Sequence, residues 1–248
     1  MLRSTLKNDS SPSKIIRIPI LPLGMLNAYL LVGNKGCILV DAGLPGSESK
    51  IGRVLHQEGL SFKTIKLIVI THAHVDHTGN AALLRELSGA SIAAHENDVT
   101  HFRRETPMTF CPTGWFGRLF LKMPLIHAPY RGFEPDILLS NGDVLNLSPY
   151  GIPGVVKHTP GHTSGSISIE LNTKDALVGD LIASGILLGG LFRTTHAIRP
   201  PFEENPRAVG LALRRLLDSG MERFYMGHGG LLKTREVYRH ADALMAID

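Results

Sequence analysis

Short apolar runs and amphipathic segments alternate along the chain, and glycine or polar turn residues separate them. A short run rich in β-branched residues is typical of a buried strand, whereas apolar residues at three- and four-residue spacing indicate a helix. On this basis the first half of the chain is predicted to contain the following elements: strands over Ile15–Ile20, Asn27–Val32, Cys37–Val40, Lys66–Thr71 and Ser91–Ala94, and helices over Ser47–Glu58 and His77–Leu87.

The second half of the chain repeats this alternation. The pattern predicts strands between Asp136 and Glu170, a helix over Asn205–Leu217, a strand over Arg223–Met226 and a last helix over Leu232–Ala246. Strands flanked by helices in both halves are typical of a layered α/β domain. We therefore expect a single domain over residues 15–248, preceded by a flexible tail over residues 1–14.

One connection, residues 97–135, departs from this regular pattern. It is rich in large apolar side chains, and any long helix is interrupted by four internal prolines, Pro107, Pro112, Pro124 and Pro129. Such a segment predicts a cap over a substrate pocket or a homodimer surface, and the alternative is a satellite hydrophobic cluster under a loop. With the stretch that follows residue 186, the segment supplies these candidate pocket residues: Met108, Phe110, Trp115, Phe116, Leu188 and Phe192.

Composition adds constraints on size, partners and location. The chain has 248 residues, 43% hydrophobic content and a formal net charge of +4, which suits one domain with a substantial core. The charge is mild and forms no long basic run, which argues against a nucleic-acid partner. No apolar run approaches the ~18 residues of a membrane span, and the N-terminus lacks the apolar segment of a signal peptide. These features predict a cytoplasmic protein without a membrane partner.

The densest chemistry lies in residues 72–78, which read His-Ala-His-Val-Asp-His-Thr. Imidazole and carboxylate groups are ligands that divalent transition metals prefer in proteins. The segment follows directly on the predicted strand Lys66–Thr71, and a tight turn at that point lets closely spaced side chains converge. A polar turn with incidental histidines fits poorly with four ligand-type side chains at one strand end: His72, His74, Asp76 and His77.

Three further strand ends each carry a histidine or an aspartate. His162 lies in the glycine-rich turn Thr159–Gly165, Asp180 ends the apolar run that begins at Asp175, and His228 stands between two glycines. Each of these signals is weak alone. Because they follow the first motif in order, together they predict a metal site built from strand ends.

The order of these motifs resembles the metallo-β-lactamase-fold hydrolase superfamily, over nearly the whole chain from about residue 15. The matching stretches are Val40–Gly43, Thr71–Gly79, Thr159–His162, Gly179–Asp180 and Gly227–Gly229. The resemblance implies an αββα four-layer sandwich with two metal ions at one edge, between the sheets. It also implies the role of each residue: His72, His74 and His162 at the first metal, Asp76, His77 and His228 at the second, Asp180 as the bridge, and Asp41 as the carboxylate that orients a ligand imidazole.

The ligand set is similar to that of glyoxalase II enzymes and acyl-homoserine lactonases. It implies a dinuclear hydrolase in which a metal-bound hydroxide attacks a small ester, lactone or thioester with an apolar part, with Asp76 and Asp180 as catalytic carboxylates. Zinc is the first expectation, and iron or manganese accepts the same donors. The alternatives are a weak β-lactamase, a binding protein on an inactive hydrolase scaffold, and a phosphodiesterase or nuclease that would use Arg103, Arg104, Arg118 and Arg131.

Overall fold

Two six-stranded sheets form the frame of the protein, whose computed structural model describes residues 14–186, 188 and 192–247. The first sheet takes its strands in chain order: β1 Lys14–Leu21, β2 Leu26–Gly33, β3 Gly36–Val40, β4 Ile65–Val69, β5 Ser91–His95 and β6 Ile137–Leu139. Strands β1 to β3 pair antiparallel, and β3 to β6 pair parallel. The carboxyl ends of β3 to β6 therefore lie at one edge.

The second sheet comes from the second half of the chain. The strands of this half are β7 Val144–Asn146, β8 Gly154–His158, β9 Ile167–Leu171, β10 Asp175–Leu177, β11 Ala183–Ser184, β12 Ala197–Ile198, β13 Arg223–Tyr225 and β14 Leu232–Lys233. The sheet order is β14-β13-β10-β9-β8-β7, while β11 and β12 form a separate antiparallel pair. Strands β10 and β13 run parallel, so their carboxyl ends share an edge as well.

Seven α-helices accompany the sheets in the described part of the chain. They are α1 Glu48–Gln57, α2 Val75–Thr78, α3 Ala81–Ser88, α4 Val99–Phe102, α5 Gly114–Phe120, α6 Pro206–Asp218 and α7 Thr234–Met245. The Asn205 side chain accepts a hydrogen bond from Ala208 N and so caps α6, and Pro206 occupies its first turn. Among these helices, none is both long and apolar enough to cross a bilayer.

Side chains that point alternately to the two faces of each strand produce three apolar layers. In β3, Cys37 and Leu39 join the core under α1 and α3, whereas Ile38 and Val40 face the second sheet. In the second sheet, Ile169 faces the first sheet, and Phe224 packs against α6 and α7. Because side chains point alternately to opposite faces of a strand, each sheet buries both of its faces. The result is the predicted αββα four-layer sandwich.

Two predicted helices begin or continue differently in the structure. The predicted helix His77–Leu87 is two helices, because the His77 carbonyl accepts a hydrogen bond from Ala42 N at 2.7 Å and no longer continues the helical ladder. The predicted helix Leu232–Ala246 starts two residues later, since Leu232 pairs with Phe224 as a strand. The predicted tail, residues 1–14, lies outside the described residues except for Lys14, which begins β1.

Candidate metal centre

Strand register brings the predicted ligand residues to one edge of the sandwich. In the second sheet Leu177 of β10 pairs with Tyr225 of β13, and Asp180 and His228 each lie three residues beyond that pair. In the first sheet Val40 pairs with Val69, and the segment from residue 70 onward carries the His72–His77 motif. Parallel pairing therefore brings the ligand residues of each sheet to one level, at the carboxyl ends of its strands.

Three histidines point ring nitrogens at one another in the first group. His162 Nε2 lies 3.1 Å from His72 Nε2 and 3.0 Å from His74 Nδ1, and the latter two atoms are 3.1 Å apart. Ligand nitrogens around a tetrahedral zinc ion lie roughly 3.3–3.4 Å apart when each bond is about 2.0–2.1 Å long. The spacing of the three nitrogens is close to that value.

The surroundings of these three histidines favour neutral imidazoles, which have a nitrogen lone pair available for a metal ion. Burial holds the pKa of His72 well below its ordinary value, and it lowers the pKa of His74 to about 3 and of His162 to about 4. The Thr71 hydroxyl donates to Asp41 and so accepts from His72 Nδ1–H at 3.0 Å. That bond places the lone pair of His72 on Nε2, which faces the other two rings.

A second group joins His77, Asp76 and His228. His77 Nδ1 donates to Asp41 Oδ2 at 2.8 Å, and His228 Nδ1 donates to the Met25 carbonyl at 2.5 Å. Both rings therefore present Nε2 inward. His228 Nε2 lies 3.2 Å from Asp76 Oδ2, and His77 Nε2 lies 3.8 Å from the same oxygen.

Asp180 lies between the two groups. Its Oδ2 atom is 3.0 Å from His228 Nε2 and 3.8 Å from His162 Nε2, while its Oδ1 atom is 3.4 Å from His77 Nε2. One carboxylate thus faces histidines of both groups. This is the position that the resemblance assigns to a carboxylate shared by two metal ions.

Carboxylates dominate the electrostatics of the second group. Burial on its own lowers the pKa of His228, but Asp180 and Asp76 outweigh it and raise that pKa to about 10. Burial is likewise outweighed at His77, where Asp180, Asp41 and Asp76 hold the pKa well above its ordinary value. In the metal-free protein these imidazoles therefore hold protons at the positions that a cation would occupy.

Unpaired buried atoms show that the donor set fits metal ions. His77 Nε2 and Asp180 Oδ1 are buried, and neither has a hydrogen-bond partner among the described residues. Gly227 is required beside them, because a Cβ atom there would lie 2.3 Å from His77 Cε1 and 2.4 Å from Asp180 Oδ1. Burying polar atoms without partners is costly unless a cation satisfies them.

Comparison with known proteins identifies the family. The sequence profile of the metallo-β-lactamase superfamily matches residues 21–228. The chain belongs to the metallo-β-lactamase superfamily. Within it, the chain is 31% identical to the probable metallo-hydrolase YqgX of Bacillus subtilis over 185 residues, which covers 72% of this chain and 74% of that protein.

Two more proteins are similar to this chain over most of their length. The acyl-coenzyme A thioesterase MBLAC2 of Homo sapiens is 25% identical over 235 residues, covering 87% of this chain and 77% of that protein. The crystal structure of the metallo-β-lactamase family protein TTHA1429 of Thermus thermophilus superposes with a TM-score of 0.66 at 26% identity, covering 94% of this chain and 78% of that one.

Two buried polar residues that sequence reasoning missed hold the ligand loops of this superfamily member in place. Asp98 accepts hydrogen bonds from Ala73 N at 3.0 Å and from the Thr163 hydroxyl at 2.9 Å, which ties the His74 loop to the His162 loop. Asn27 donates to the carbonyls of Gly227 and Gly229 on either side of His228. Neither residue stands in a motif, so only their burial and contacts reveal the role.

Asp41 offers a direct test of how ligand orientation affects metal binding. We expect Asp41→Asn to lower metal affinity or activity ~10–100-fold, because the His77 imidazole loses the carboxylate that holds its Nδ1–H. Metal titration of the variant measures the affinity. Asp218→Asn, an exposed change at the end of α6, is the control. Unchanged metal affinity in Asp41→Asn would contradict an orienting role.

Two cavities adjoin the ligand cluster of this superfamily fold. The inner one measures about 20 Å³ and is walled by ligand residues together with aromatic rings, including Phe110, Phe120 and Phe202. A second, apolar cavity of about 320 Å³ shares Asp76 and His228 with it. Its wall also contains Leu21, Met25, Leu44, Phe116, Phe120, Met123 and Leu188. The inner cavity has room for about one water molecule, so a bulky apolar group does not fit there, whereas the second cavity is large enough to hold one.

The predicted pocket residues therefore separate into several places. Phe110 stacks on the His74 ring with centroids 5.1 Å apart, and Phe116 and Leu188 line the apolar cavity. Met108 lines a neighbouring cavity of about 350 Å³ that also contains Phe110. Trp115 lines an outer groove and Phe192 lies 66% exposed, so neither contributes to the wall of the apolar cavity. For Trp115 the reason is that residues 114–120 form a helix, which turns the neighbouring side chains of Trp115 and Phe116 to different faces.

Proposed function

We propose that this protein is a dinuclear metal-dependent hydrolase that cleaves an activated acyl bond, a thioester, ester or lactone, whose acyl part is apolar. The observation that carries the proposal is the apolar cavity beside the metal centre, which shares Asp76 and His228 with the ligand cluster. A hydrolase of this kind needs a charged centre for the carbonyl group and an apolar wall for the acyl chain. Both are present, and they meet at Asp76.

Asp180 and Asp76 have different positions in the site, and their positions suggest different roles. Bound metal ions would lower the pKa of water and polarise a carbonyl group. Asp180 faces histidines of both groups and so fixes how they stand relative to each other. The Asp76 side chain is 25% exposed while Asp180 is 4% exposed, which leaves Asp76 as the carboxylate on the side of the cavity. This difference in exposure supports Asp76 as the carboxylate that passes a proton to the leaving group.

The size of the apolar cavity indicates the length of the acyl chain. A dry apolar cavity of about 150 Å³ accommodates benzene, so 320 Å³ has room for about twelve carbon atoms. Phe116 and Phe120 stack against each other at 5.8 Å along one side of it. The thioesterase named among the relatives, MBLAC2, supports an acyl thioester as the substrate class.

Three of the four arginines that a nuclease would use are engaged elsewhere, and the fourth, Arg118, is exposed on α5 and lines neither cavity beside the metal centre. Arg103 pairs with Glu134, and Arg131 Nη2 lies 2.8 Å from Glu86 Oε1. The guanidinium of Arg104 lies over the Tyr130 ring at 5.1 Å and donates to the Tyr130 carbonyl. These contacts do not support a basic channel beside the metal centre.

A substrate panel tests the proposal. Metal-replete protein is assayed against acyl thioesters of two to sixteen carbons, lactones, a chromogenic cephalosporin and bis-p-nitrophenyl phosphate. We expect the highest kcat/KM for an acyl thioester or ester of medium chain length. Turnover of only the phosphodiester, or of only the cephalosporin, would refute the proposal.

The wall of the apolar cavity makes a separate prediction about chain length. We expect Phe116→Ala to raise KM for medium-chain acyl substrates about tenfold and to leave short-chain KM unchanged, because Phe116 lines the apolar cavity but not the inner cavity at the ligand residues. Leu211→Ala, an exposed apolar change on α6, is the control and should not alter chain-length preference. Equal changes at all chain lengths would show that Phe116 acts through general packing instead.

A further inference from the structure

Helix α5 carries apolar residues on two opposite sides. Phe116 and Phe120 point inward and line the apolar cavity, and Gly117 packs so closely that a Cβ atom would lie 2.2 Å from the Pro201 carbonyl oxygen. Trp115 and Leu119, also four residues apart, point outward and are 75% and 57% exposed. The packing of Phe116, Gly117 and Phe120 against the rest of the protein explains how α5 is attached to it. The outward pair stays largely exposed, although the Trp115 ring meets the Phe116 ring at 81° with centroids 5.9 Å apart.

The exposed apolar surface continues past the end of the helix. Met123 and Leu125 in the following turn are 43% and 41% exposed. Single exposed apolar side chains are common on soluble proteins, but several on one short segment mark an interaction surface. We call Trp115, Arg118, Leu119, Lys122, Met123 and Leu125 the docking face.

Charge on this segment has one sign. Residues 106–133 contain no aspartate or glutamate. Arg118 and Lys122 are exposed, and neither pairs with a carboxylate in the part of the chain that the structure describes. An exposed tryptophan with leucine and basic residues beside it is typical of segments that lie in the interface of a bilayer.

We propose that the docking face binds the surface of an anionic lipid bilayer, with Trp115 and Leu119 entering the headgroup region and Arg118 and Lys122 meeting lipid phosphates or carboxylates. The expectation that the protein has no membrane partner would then be wrong for surface binding, although no described helix crosses the bilayer. An ordinary solvent-exposed helix face would not carry an exposed tryptophan. A face that combines apolar side chains with only positive charge matches the surface of an anionic bilayer, which has apolar chains beneath negative headgroups.

Charge complementarity also decides against a second copy of the chain. In a twofold dimer the same patch meets itself, so Arg118 and Lys122 would approach the same cations of the partner. Like charges brought together in an interface oppose association. An anionic bilayer surface would instead attract Arg118 and Lys122.

The docking face is continuous with the apolar cavity. Met123 and Leu125 are partly exposed and at the same time line that cavity. A bilayer against this face would therefore lie at the mouth of the cavity, where an acyl chain enters. This consequence, unlike the binding itself, rests on the proposed function.

Trp115 provides a direct reporter, because it is the only tryptophan in the chain. The full-length protein is mixed with vesicles of phosphatidylcholine alone and with vesicles containing phosphatidylglycerol. With the anionic vesicles we expect a blue shift of the Trp115 emission, quenching by brominated lipid and co-flotation of the protein. Added salt should weaken binding, because it screens the contribution of Arg118 and Lys122.

Variants separate the apolar from the ionic contribution. We expect Leu119→Glu to weaken vesicle binding at least about tenfold, and Arg118→Gln or Lys122→Gln to weaken it about fivefold each. Leu211→Glu is the matched control, since Leu211 is 44% exposed on helix α6, far along the chain from the docking face, and should leave binding unchanged. Circular dichroism checks that each variant is folded.

Three outcomes would overturn the proposal. They are the absence of any shift or flotation with anionic vesicles, equal binding by Leu119→Glu and the wild type, and a stable dimer whose Trp115 emission is already blue-shifted without lipid. Binding is read without a substrate, so it does not depend on the proposed hydrolysis. Failure of the substrate panel with intact vesicle binding would refute the proposed function alone.

Discussion

Removing bound metal should abolish hydrolysis, with a fall of at least about 10³-fold in kcat/KM, since the described residues of the site include no other activated nucleophile. We expect about two metal ions per chain in protein purified without chelator, because the ligand groups form two clusters. Elemental analysis gives the stoichiometry, and activity is measured before and after dialysis against a chelator. Zinc, iron and manganese are then added back separately to identify the productive metal.

Metal binding in the second group should also depend on pH. His77 and His228 have raised pKa values, that of His228 about 10, so at pH 6 to 8 both hold a proton that metal must displace. Affinity should therefore rise about tenfold per pH unit for each proton displaced. Titrations at two pH values measure the slope. Full activity without bound transition metal, or a flat pH dependence, would contradict this account of the centre.

Loss of the shared carboxylate should have the next largest effect. Asp180→Ala leaves His77, His162 and His228 without the carboxylate that faces all three, so both metals should bind more weakly. We expect kcat to fall at least ~10²-fold, as when one positioned electrostatic group is lost. The metal content of the variant should fall in parallel.

Two controls distinguish this loss from simple destabilisation. Asp175→Asn removes a buried carboxylate from strand β10 of the same sheet, where it accepts from Arg223 Nε at 2.6 Å. It should lower the melting temperature but retain metal. His56→Ala changes an exposed histidine of α1 and should leave kcat within about twofold, as a surface change costs only roughly ±0.5 kcal/mol of stability. Near-native turnover and metal content in Asp180→Ala would refute its assignment to the centre.

The sequence by itself determined the layers of the fold and the strand ends that carry ligand-type side chains. The apolar run Cys37–Val40 and the apolar run before Thr71 are local signals, and local signals survive folding because side-chain direction follows backbone geometry. Motifs of closely spaced residues, such as His72 and His74, likewise converge through a single turn. Both kinds of inference need only neighbouring residues.

The tertiary structure decided what depends on residues distant in the chain. Asp98 and Asn27 stand in no motif, yet they fasten loops that lie 65 and 200 residues away. The apolar cavity combines Leu21 and Met25 of the first hairpin with Phe116 of the insert, which no spacing rule connects. Helix α5 then separated Phe116 from Trp115, since adjacent helical residues point about 100° apart and only packing against Pro201 fixes which one faces inward.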